Sequence, residues 1–269
     1  MKITAAVSRS NQAAPELEQL ELDPPRPGEM LVRIVAVGIC HTDLHEHPGR
    51  HAPHPIVLGH EGAGVVEALG EGVRGFAVGD HVILSGSSCG ACASCVAGRP
   101  TYCDLAMPMS FGGKRLDGSV ALSCGEERIH SHFFGQSSFA THAIVPERTA
   151  VKVDKDLPLE MLAPLGCGVI TGAGAVIEAL KVKAGQTIAI LGTGGVGLSA
   201  VMAAKLVGAK RIIAVDINKE RLALAQELGA TDIITADSDD VAQQIRDITG
   251  RGVDFSFNST TVAAVHTIA

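Results

Sequence analysis

The sequence predicts a two-domain chain in which a partly open all-β barrel precedes an incomplete parallel α/β sheet. Two patterns support this fold class. Short apolar runs separated by turns rich in Gly, Pro and Asp fill residues 1–170, as in barrels built from short strands. Residues 171–269 instead alternate strand-like and helix-like segments, which favours a parallel sheet with crossover helices. We therefore place the domain boundary at 170/171.

Four apolar runs of the first domain are predicted strands. A proline-rich turn at 23–28 precedes the first run, and Pro146 stops the fourth. Their short length and close spacing are typical of a partly open barrel. The predicted strands cover 31–37, 62–68, 80–84 and 139–145.

The second domain changes its hydrophobic period, and glycines close two of its predicted helices. The predicted strands cover 186–191, 211–215, 232–234 and 253–257. The predicted helices cover 195–207, 219–228, 239–249 and, as a short run, 261–268. A complete doubly wound nucleotide-binding sheet has six strands. We therefore expect the chain to be C-terminally truncated.

Four cysteines fall in the spacing C-x2-C-x2-C-x7-C. They are Cys89, Cys92, Cys95 and Cys103. Four thiolates at this spacing can close around one tetrahedral ion, which indicates structural zinc in a small lobe at 85–105. Disulfides and unrelated buried cysteines are the alternatives. An iron–sulfur cluster is a third, but its bacterial motif has a shorter last gap and then proline, where this chain has Asp104.

Composition and charge exclude several classes of protein. The formal net charge of −7 gives no basic surface for nucleic acid. No stretch approaches the ~20 apolar residues of a membrane span, and the N-terminus lacks the apolar core of a signal peptide. Seven cysteines without an export signal favour reduced thiols and metal over disulfides. We therefore expect a cytoplasmic protein with no nucleic-acid or membrane partner.

A glycine-rich segment between a predicted strand and a predicted helix matches G-x-G-x-x-G. It runs from Gly192 to Gly197, and Asp216 follows at the end of the next predicted strand. In this context the motif predicts a Rossmann dinucleotide site, with the pyrophosphate at the helix N-terminus. Asp216 would bind the ribose 2′-hydroxyl and repel the extra phosphate of NADP, so NAD is the expected cofactor. A glycine-rich turn with no ligand is the alternative.

Three further segments resemble one enzyme family. They are 38–45 (GICHTDLH), 59–64 (GHEGAG) and 165–172 (LGCGVITG). Together with the cysteine lobe and the glycine motif, in this order along the chain, they resemble the zinc-dependent alcohol dehydrogenases of the medium-chain dehydrogenase/reductase superfamily. The resemblance implies a GroES-like catalytic barrel followed by a Rossmann NAD-binding domain.

The resemblance also implies a second, catalytic zinc, and so two zinc ions per chain. Its ligands would be Cys40, His60 and Cys167, with a fourth position open to alcohol or water. Asp43 resembles the carboxylate that orients the ligand histidine. Glu61 resembles the acidic neighbour that approaches the zinc during ligand exchange.

The reaction implied by the resemblance is oxidation of an alcohol. The alcohol would ionise on zinc and pass a hydride to nicotinamide, while its proton leaves through a relay from Thr42 to His45. Nine residues are expected to contact the cofactor. They are His41, Thr171, Gly192, Gly194, Gly195, Val196, Gly197, Asp216 and Arg221.

Two stretches, 111–119 and 132–140, are most similar to the benzyl- and aryl-alcohol dehydrogenase branch. A primary aromatic alcohol, oxidised to the aldehyde, is therefore the expected substrate. Activity of the glutathione-dependent formaldehyde dehydrogenase type is an alternative, because that branch shares much of the second stretch.

A non-catalytic zinc-binding remnant is the other alternative. The last two strands of the second domain are absent, and in the family they carry the nicotinamide end of the site and the dimer contact. Intact family members form homo-oligomers, whereas we expect the chain as given to be poorly stable and inactive.

Overall fold

A computed structural model of the chain describes residues 1–10, 13–47, 51–236, 240–262 and 265. The chain divides into two compact units, Met1–Cys167 and Gly168–Ala269. The predicted boundary at 170/171 falls just after this division.

The first unit contains two five-stranded sheets within its described residues. The strands are β1 (Lys2–Ser8), β2 (Glu16–Leu22), β3 (Glu29–Gly38), β4 (Ile56–Val57), β5 (Glu61–Leu69), β6 (His81–Leu84), β7 (Leu122–Cys124), β8 (Glu127–Ile129), β9 (His142–Pro146) and β10 (Ala150–Val153). They are ordered β4-β1-β2-β7-β8 in one sheet and β10-β6-β5-β3-β9 in the other. The predicted partly open barrel is confirmed, and three of the four predicted strands coincide with β3, β5 and β6.

The fourth predicted strand, 139–145, is wrong over its first three residues. These residues bind the other sheet: the Phe139 carbonyl accepts from the Ala6 N–H (2.8 Å), and the Thr141 N–H donates to the Thr4 carbonyl (2.9 Å). The chain therefore crosses from one sheet to the other before β9 begins. This crossing links the two sheets of the barrel.

Strands β1 and β2 were absent from the sequence prediction, although β2 carries a signal for a strand. The last four residues of its sequence, ELEQLEL, alternate polar and apolar, and Leu20 and Leu22 are buried while Gln19 and Glu21 are exposed. It pairs antiparallel with β1 from Lys2 opposite Glu21 to Val7 opposite Glu16. The two strands together supply much of one apolar core cluster.

Short helices interrupt the strands of the first unit and position the candidate sites. They are α1 (His41–Glu46), α2 (Ala93–Val96), α3 (Ala106–Phe111) and α4 (Leu159–Leu162). Short 3-10 segments cover Pro100–Tyr102, Phe133–Gly135, Glu147–Thr149 and Ala163–Gly166. The predicted lobe at 85–105 contains α2 and one 3-10 turn, and it has little regular structure otherwise.

The second unit is a four-stranded parallel sheet with crossover helices. Its helices are α5 (Gly168–Gly174, continued by a π-helical turn over Ala175–Ala179), α6 (Gly195–Leu206), α7 (Lys219–Leu228) and α8 (Val241–Thr249). Its strands are β11 (Thr187–Leu191), β12 (Arg211–Asp216), β13 (Asp232–Thr235) and β14 (Phe255–Asn258). The order β13-β12-β11-β14 is the 3-2-1-4 part of the Rossmann order, which confirms the prediction. The predicted run 261–268 lies mostly outside the described residues.

The last predicted strand, 253–257, begins two residues too early. Asp254 lies before β14, and its carboxylate accepts hydrogen bonds from the backbone N–H and the hydroxyl of Thr187, both at 2.9 Å. The side chain of Asp254 therefore takes the place of a backbone–backbone hydrogen bond where β14 begins to pair with β11.

Within the described residues, no single helix is long and apolar enough to cross a membrane. One consecutive helix pair, Leu159–Gly166 with Gly168–Ala179, meets the length and composition requirement only when its members are taken together.

A buried ion pair anchors the 113–119 loop to the barrel. Arg115 Nε donates to Glu29 Oε1 (2.5 Å) and Arg115 Nη2 donates to Glu29 Oε2 (2.9 Å). Burial opposes ionisation of Glu29, but hydrogen bonds from Arg115 and from the Arg26 N–H hold the pKa of its carboxyl below the ordinary value. The stabilisation is therefore present above the unfolded-state pKa and is lost as the pH falls through the folded-state pKa.

We predict that Arg115→Met lowers the free energy of unfolding at pH 7 by about 3–5 kcal/mol, because it leaves the buried Glu29 charge without its charged partner. Arg33→Met is the control, since the Arg33–Glu67 pair is largely exposed and should cost about 1 kcal/mol or less. Urea unfolding measures both variants. Equal losses would show that the Glu29–Arg115 pair does not anchor the loop.

Candidate metal and nucleotide sites

Four candidate ligand groups converge in the first unit. Cys40 lies immediately before α1, His60 and Glu61 lie at the start of β5, and Cys167 follows the 3-10 turn that ends the unit. One potential ligand atom from each residue lies within 4.8 Å of the others. The fold thus brings together the three predicted ligands of a catalytic zinc and the predicted acidic neighbour.

Asp43 determines which ring nitrogen of His60 can bind a metal. Its Oδ1 accepts from His60 Nδ1 and from the Gly59 N–H, each at 3.0 Å, and its Oδ2 accepts from the Cys40 N–H at 3.0 Å. The proton of His60 is therefore on Nδ1. His60 Nε2 is buried and has no hydrogen-bond partner within the described residues, as expected for a nitrogen that donates its lone pair to a metal.

The electrostatics of this cluster favour cation binding. The hydrogen bond from the Cys167 thiol, against the effect of burial, lowers the pKa of Cys40 to about 3. Sharing of this proton in turn raises the pKa of Cys167. Burial disfavours charged His60, but the Nδ1 hydrogen bond to Asp43 and the nearby negative charges of Asp43 and Cys40 raise its pKa to about 9. A divalent cation would displace these protons, so its affinity should rise with pH.

The donor set fits zinc. Two thiolate sulfurs and one imidazole nitrogen are the protein ligands of one known class of catalytic zinc site, which keeps a further position for substrate. A buried imidazole nitrogen without a partner would otherwise be costly. We conclude that the residues present can hold a zinc ion here.

The second candidate metal site is the four-cysteine lobe, where the ligand sulfurs also lie within 4.8 Å of one another. Cys89 Sγ and Cys95 Sγ are 4.0 Å apart, about twice the length of a disulfide bond, and all seven cysteines are free. The set also contains Cys92 and Cys103.

Backbone N–H groups of the lobe point at two of the sulfurs, and at Cys89 they favour the thiolate. Hydrogen bonds from the N–H groups of Ala91 (3.5 Å) and Cys92 (3.4 Å) lower the pKa of Cys89 to about 6. The N–H groups of Cys89 and Leu105 bond Cys103 Sγ at 3.3 and 3.4 Å. Four sulfurs leave no open position, so this arrangement fits a structural zinc.

The predicted relay residues both lie on α1. Thr42 and His45 are three residues apart, so they lie on neighbouring positions of one helix face. Thr42 is half-buried beside the thiol of Cys40, whereas His45 and the predicted cofactor residue His41 are exposed. The relay itself stays a prediction.

In the second unit, the glycine motif forms the turn between β11 and α6. Gly192 has φ +89°, and a Cβ on Gly197 would lie 1.9 Å from the Gly192 carbonyl oxygen. Both positions therefore require glycine for the turn and for packing of helix against strand. Among the described residues, no heavy atom lies within 4 Å of a Cβ built on Gly194 or Gly195. That open space above a helix N-terminus fits a dinucleotide pyrophosphate.

Asp216 is held at the end of β12 by hydrogen bonds from the loops on either side. Its Oδ2 accepts from the N–H and the hydroxyl of Thr193 (2.6 and 2.8 Å), and its Oδ1 accepts from the Asn218 N–H (2.8 Å). Burial raises the pKa of Asp216, but these bonds and Arg221 lower it below its ordinary value. A negative charge is thus fixed beside the glycine motif.

The other predicted cofactor residues occupy separate elements of the second unit. Val196 lies in the first turn of α6, Arg221 is exposed on α7, and Thr171 is exposed on α5. Sequence reasoning missed Thr193, which occupies a variable position of the motif; its hydroxyl gives no signal until the Asp216 contact is seen.

Sequence reasoning also missed three aromatic residues around His60. The Phe134 ring stacks on the imidazole at 4.6 Å, and the Phe133 ring meets it edge-on at 5.6 Å. Phe111 contacts both phenylalanines. Their concentration is notable because the chain has seven phenylalanines in all, and both stretches singled out in the sequence contribute to the group.

Two family models match the chain, and each match falls within one of the two units. Residues 26–155 match the family model for the alcohol dehydrogenase GroES-like domain, and residues 195–268 match that for zinc-binding dehydrogenases. The chain is 48% identical over 258 residues to a geraniol dehydrogenase of Castellaniella defragrans, an alignment spanning 95% of this chain and 69% of that protein.

Solved structures give the same result. A zinc-binding alcohol dehydrogenase domain protein from Burkholderia ambifaria is 51% identical with a TM-score of 0.97. Benzyl alcohol dehydrogenase from Acinetobacter calcoaceticus is 46% identical with a TM-score of 0.96. Each alignment covers 100% of this chain and 73% of the other.

We predict two zinc ions per chain, with different consequences when each is lost. Cys95→Ser should lower the melting temperature, because a structural zinc contributes folding energy directly. Cys40→Ala should release one zinc with a smaller effect on melting, because the fold already assembles that site. Elemental analysis and thermal unfolding measure both effects, with Cys124→Ser, outside both sites, as the control. Equal losses of melting temperature, or iron in place of zinc, would contradict the assignment.

Proposed function

The chain belongs to the zinc-dependent alcohol dehydrogenases of the medium-chain dehydrogenase/reductase superfamily, and on that premise we propose that it oxidises a primary benzyl-type alcohol to the aldehyde with NAD. The enzymes of this family use zinc and a nicotinamide cofactor. We propose, beyond this, the identity of the alcohol, the choice of NAD and the roles of single residues.

The aromatic group around His60 is the observation that carries the proposed substrate class. Phe111 and Phe134 are partly exposed; Phe134 stacks on the candidate ligand His60, and Phe111 packs edge-on against Phe134. Aromatic rings pack favourably edge-to-face or offset against another ring. The names of two similar proteins, a benzyl alcohol dehydrogenase and a geraniol dehydrogenase, point to primary alcohols with unsaturation next to the reacting carbon.

In this proposal Cys40, His60 and Cys167 hold zinc, and Asp43 keeps the His60 tautomer that leaves Nε2 available. When bound, zinc supplies Lewis acidity at the alcohol oxygen and NAD supplies a hydride acceptor. Burial of the cluster strengthens these electrostatic effects, because few water dipoles screen them.

The chain's own residues would then remove the hydroxyl proton. Thr42, beside Cys40, would accept it and pass it toward His45, whose exposed ring can exchange it with solvent. Glu61 lies within reach of the ligand atoms and would assist exchange of the fourth ligand.

In the second unit, the backbone of the glycine motif and the N-terminus of α6 would hold the pyrophosphate. Asp216 would accept from the ribose hydroxyls and repel a 2′-phosphate, which favours NAD over NADP. His41, Thr171 and Arg221 are proposed as further cofactor contacts.

The proposed setting follows from the same chemistry. Free thiols that must stay reduced until metal binds favour a reducing compartment, and we propose the cytoplasm. The partner is a small alcohol or aldehyde, with no nucleic acid or membrane, and self-association into a homo-oligomer is proposed by analogy with the family.

We predict at least tenfold higher kcat/KM for benzyl alcohol than for cyclohexylmethanol, which has the same carbon skeleton without the aromatic ring. The measurement is NADH formation by the chain and by a version extended to the length of its relatives. Equal kcat/KM values would contradict the aromatic substrate class. A zinc-loaded, extended protein that oxidises neither alcohol would contradict the proposed function.

We also predict that the enzyme binds NAD more tightly than NADP and that Asp216→Ala reduces this difference in affinity. The substitution removes both the hydrogen-bond acceptor for the ribose and the charge that repels the 2′-phosphate. Titrations of both cofactors measure the ratio of their Kd values. Asp247→Ala, an exposed carboxylate on α8, should leave that ratio unchanged. Equal affinity of the unmodified protein for NAD and NADP would refute the role of Asp216.

A further inference from the structure

A buried glutamine in the 132–138 loop contacts the backbone around His60. Gln136 is 1% exposed. Its Nε2 donates to the carbonyl oxygens of His60 (2.8 Å) and Ser85 (3.2 Å). Its Oε1 accepts from the Gly62 N–H (3.1 Å) and the Ser138 hydroxyl (2.5 Å). A carboxamide has two donor hydrogens and two main acceptor sites, so every hydrogen-bonding position of this side chain is used.

Gln136 contacts the backbone segment that carries two residues of the candidate metal site, His60 and Glu61. It bonds the backbone of His60 and of Gly62, on either side of Glu61, and also fixes the end of β6 at Ser85. A Cβ on Gly62 would lie 3.0 Å from Gln136 Oε1 and 2.4 Å from the Ser138 hydroxyl. The close approach therefore depends on glycine at that position.

The loop that carries Gln136 holds an unusual backbone conformation. His132, Phe134 and Ser137 have φ values of 64°, 50° and 56°, a left-handed region that side chains other than glycine rarely adopt. Such conformations persist only where the surroundings enforce them, and they cluster at functional sites. Here they place Gln136 on the His60 backbone and the Phe134 ring on the His60 imidazole.

We propose that Gln136 is a positioning residue for the catalytic metal site: it acts through the backbone of His60 and Gly62 to hold the His60 ligand and the Glu61 carboxylate in place. The inference rests on the proposed zinc at Cys40, His60 and Cys167. Asp43 orients the imidazole from its Nδ1 side, and Gln136 fixes the main chain that carries it.

A purely structural role for the loop is the competing explanation, and Ser137 separates the two. Ser137 is buried in the same loop, and its hydroxyl bonds the Val57 carbonyl and the Phe133 N–H, at 2.5 and 3.0 Å. Within the described residues, the Ser137 side chain makes no hydrogen bond to the His60–Gly62 segment. Loss of the Ser137 hydroxyl should therefore disturb the loop without releasing the metal ligand.

The test is metal competition on the full chain with Gln136→Met, which keeps the side-chain length but removes all four hydrogen bonds. Zinc release to a chromogenic chelator gives Kd values. Cobalt substitution assigns each value to the two-sulfur or the four-sulfur site by its absorption bands. We expect about a 10- to 100-fold weaker Kd at the Cys40/His60/Cys167 site and no change at the four-cysteine site. We expect Ser137→Ala to lower the melting temperature while leaving both Kd values unchanged.

Three results would overturn the inference. They are an unchanged zinc Kd at the Cys40/His60/Cys167 site in Gln136→Met, an equal increase of Kd at both metal sites, or the same increase of Kd in Ser137→Ala. If Gln136→Met does not fold, Ser138→Ala carries the test, because it removes only the hydroxyl that donates to Gln136. That variant should weaken the same site alone by a smaller factor, and no weakening would overturn the inference. A wild-type chain that binds no zinc at the two-sulfur site would instead contradict the proposed function.

Discussion

The Asp43 carboxylate is the constraint on which the first unit's chemistry depends. It is 2% exposed and accepts from the Cys40 N–H, the Gly59 N–H and His60 Nδ1. A buried carboxylate must be paired in this way, because an unpaired one would be too costly. The same bonds join the start of α1 to the start of β5 and commit His60 Nε2 to act as a ligand. Stability and metal chemistry therefore draw on one set of hydrogen bonds.

The two candidate metal sites differ in whether the metal or the fold holds the ligands together. The four-cysteine lobe has its ligands close together in the sequence, and much of its surroundings is exposed, so a metal there must supply the order. The Cys40/His60/Cys167 site draws its ligands from distant parts of the chain, and strands, Asp43 and Gln136 assemble them. A closed site contributes to folding, whereas an assembled site can keep a position for substrate.

The sequence predicted features whose physical signal is local. Cysteine spacing, the glycine motif with Asp216, and the strand–helix alternation of the second unit all depend on neighbours along the chain. The structure confirms the strand–helix alternation, brings the four cysteines together and puts Asp216 beside the glycine motif. Gln136, Thr193 and the ring of Phe134 acquire their roles from contacts across long sequence separations, and a polar or aromatic residue in a loop does not reveal such a partner. The misplaced start of β9 has the same origin, since residues 139–141 directly precede β9 in the sequence but hydrogen-bond to β1.

We assign one zinc to four sulfurs and another to two sulfurs and the Nε2 of His60, with the latter site open. Zinc X-ray absorption on the fully loaded chain measures both ligand sets at once. The predicted average shell is about three sulfurs at ~2.3 Å and about one nitrogen or oxygen at ~2.0–2.1 Å per zinc. A shell of four sulfurs without nitrogen, or one dominated by nitrogen and oxygen, would contradict this assignment.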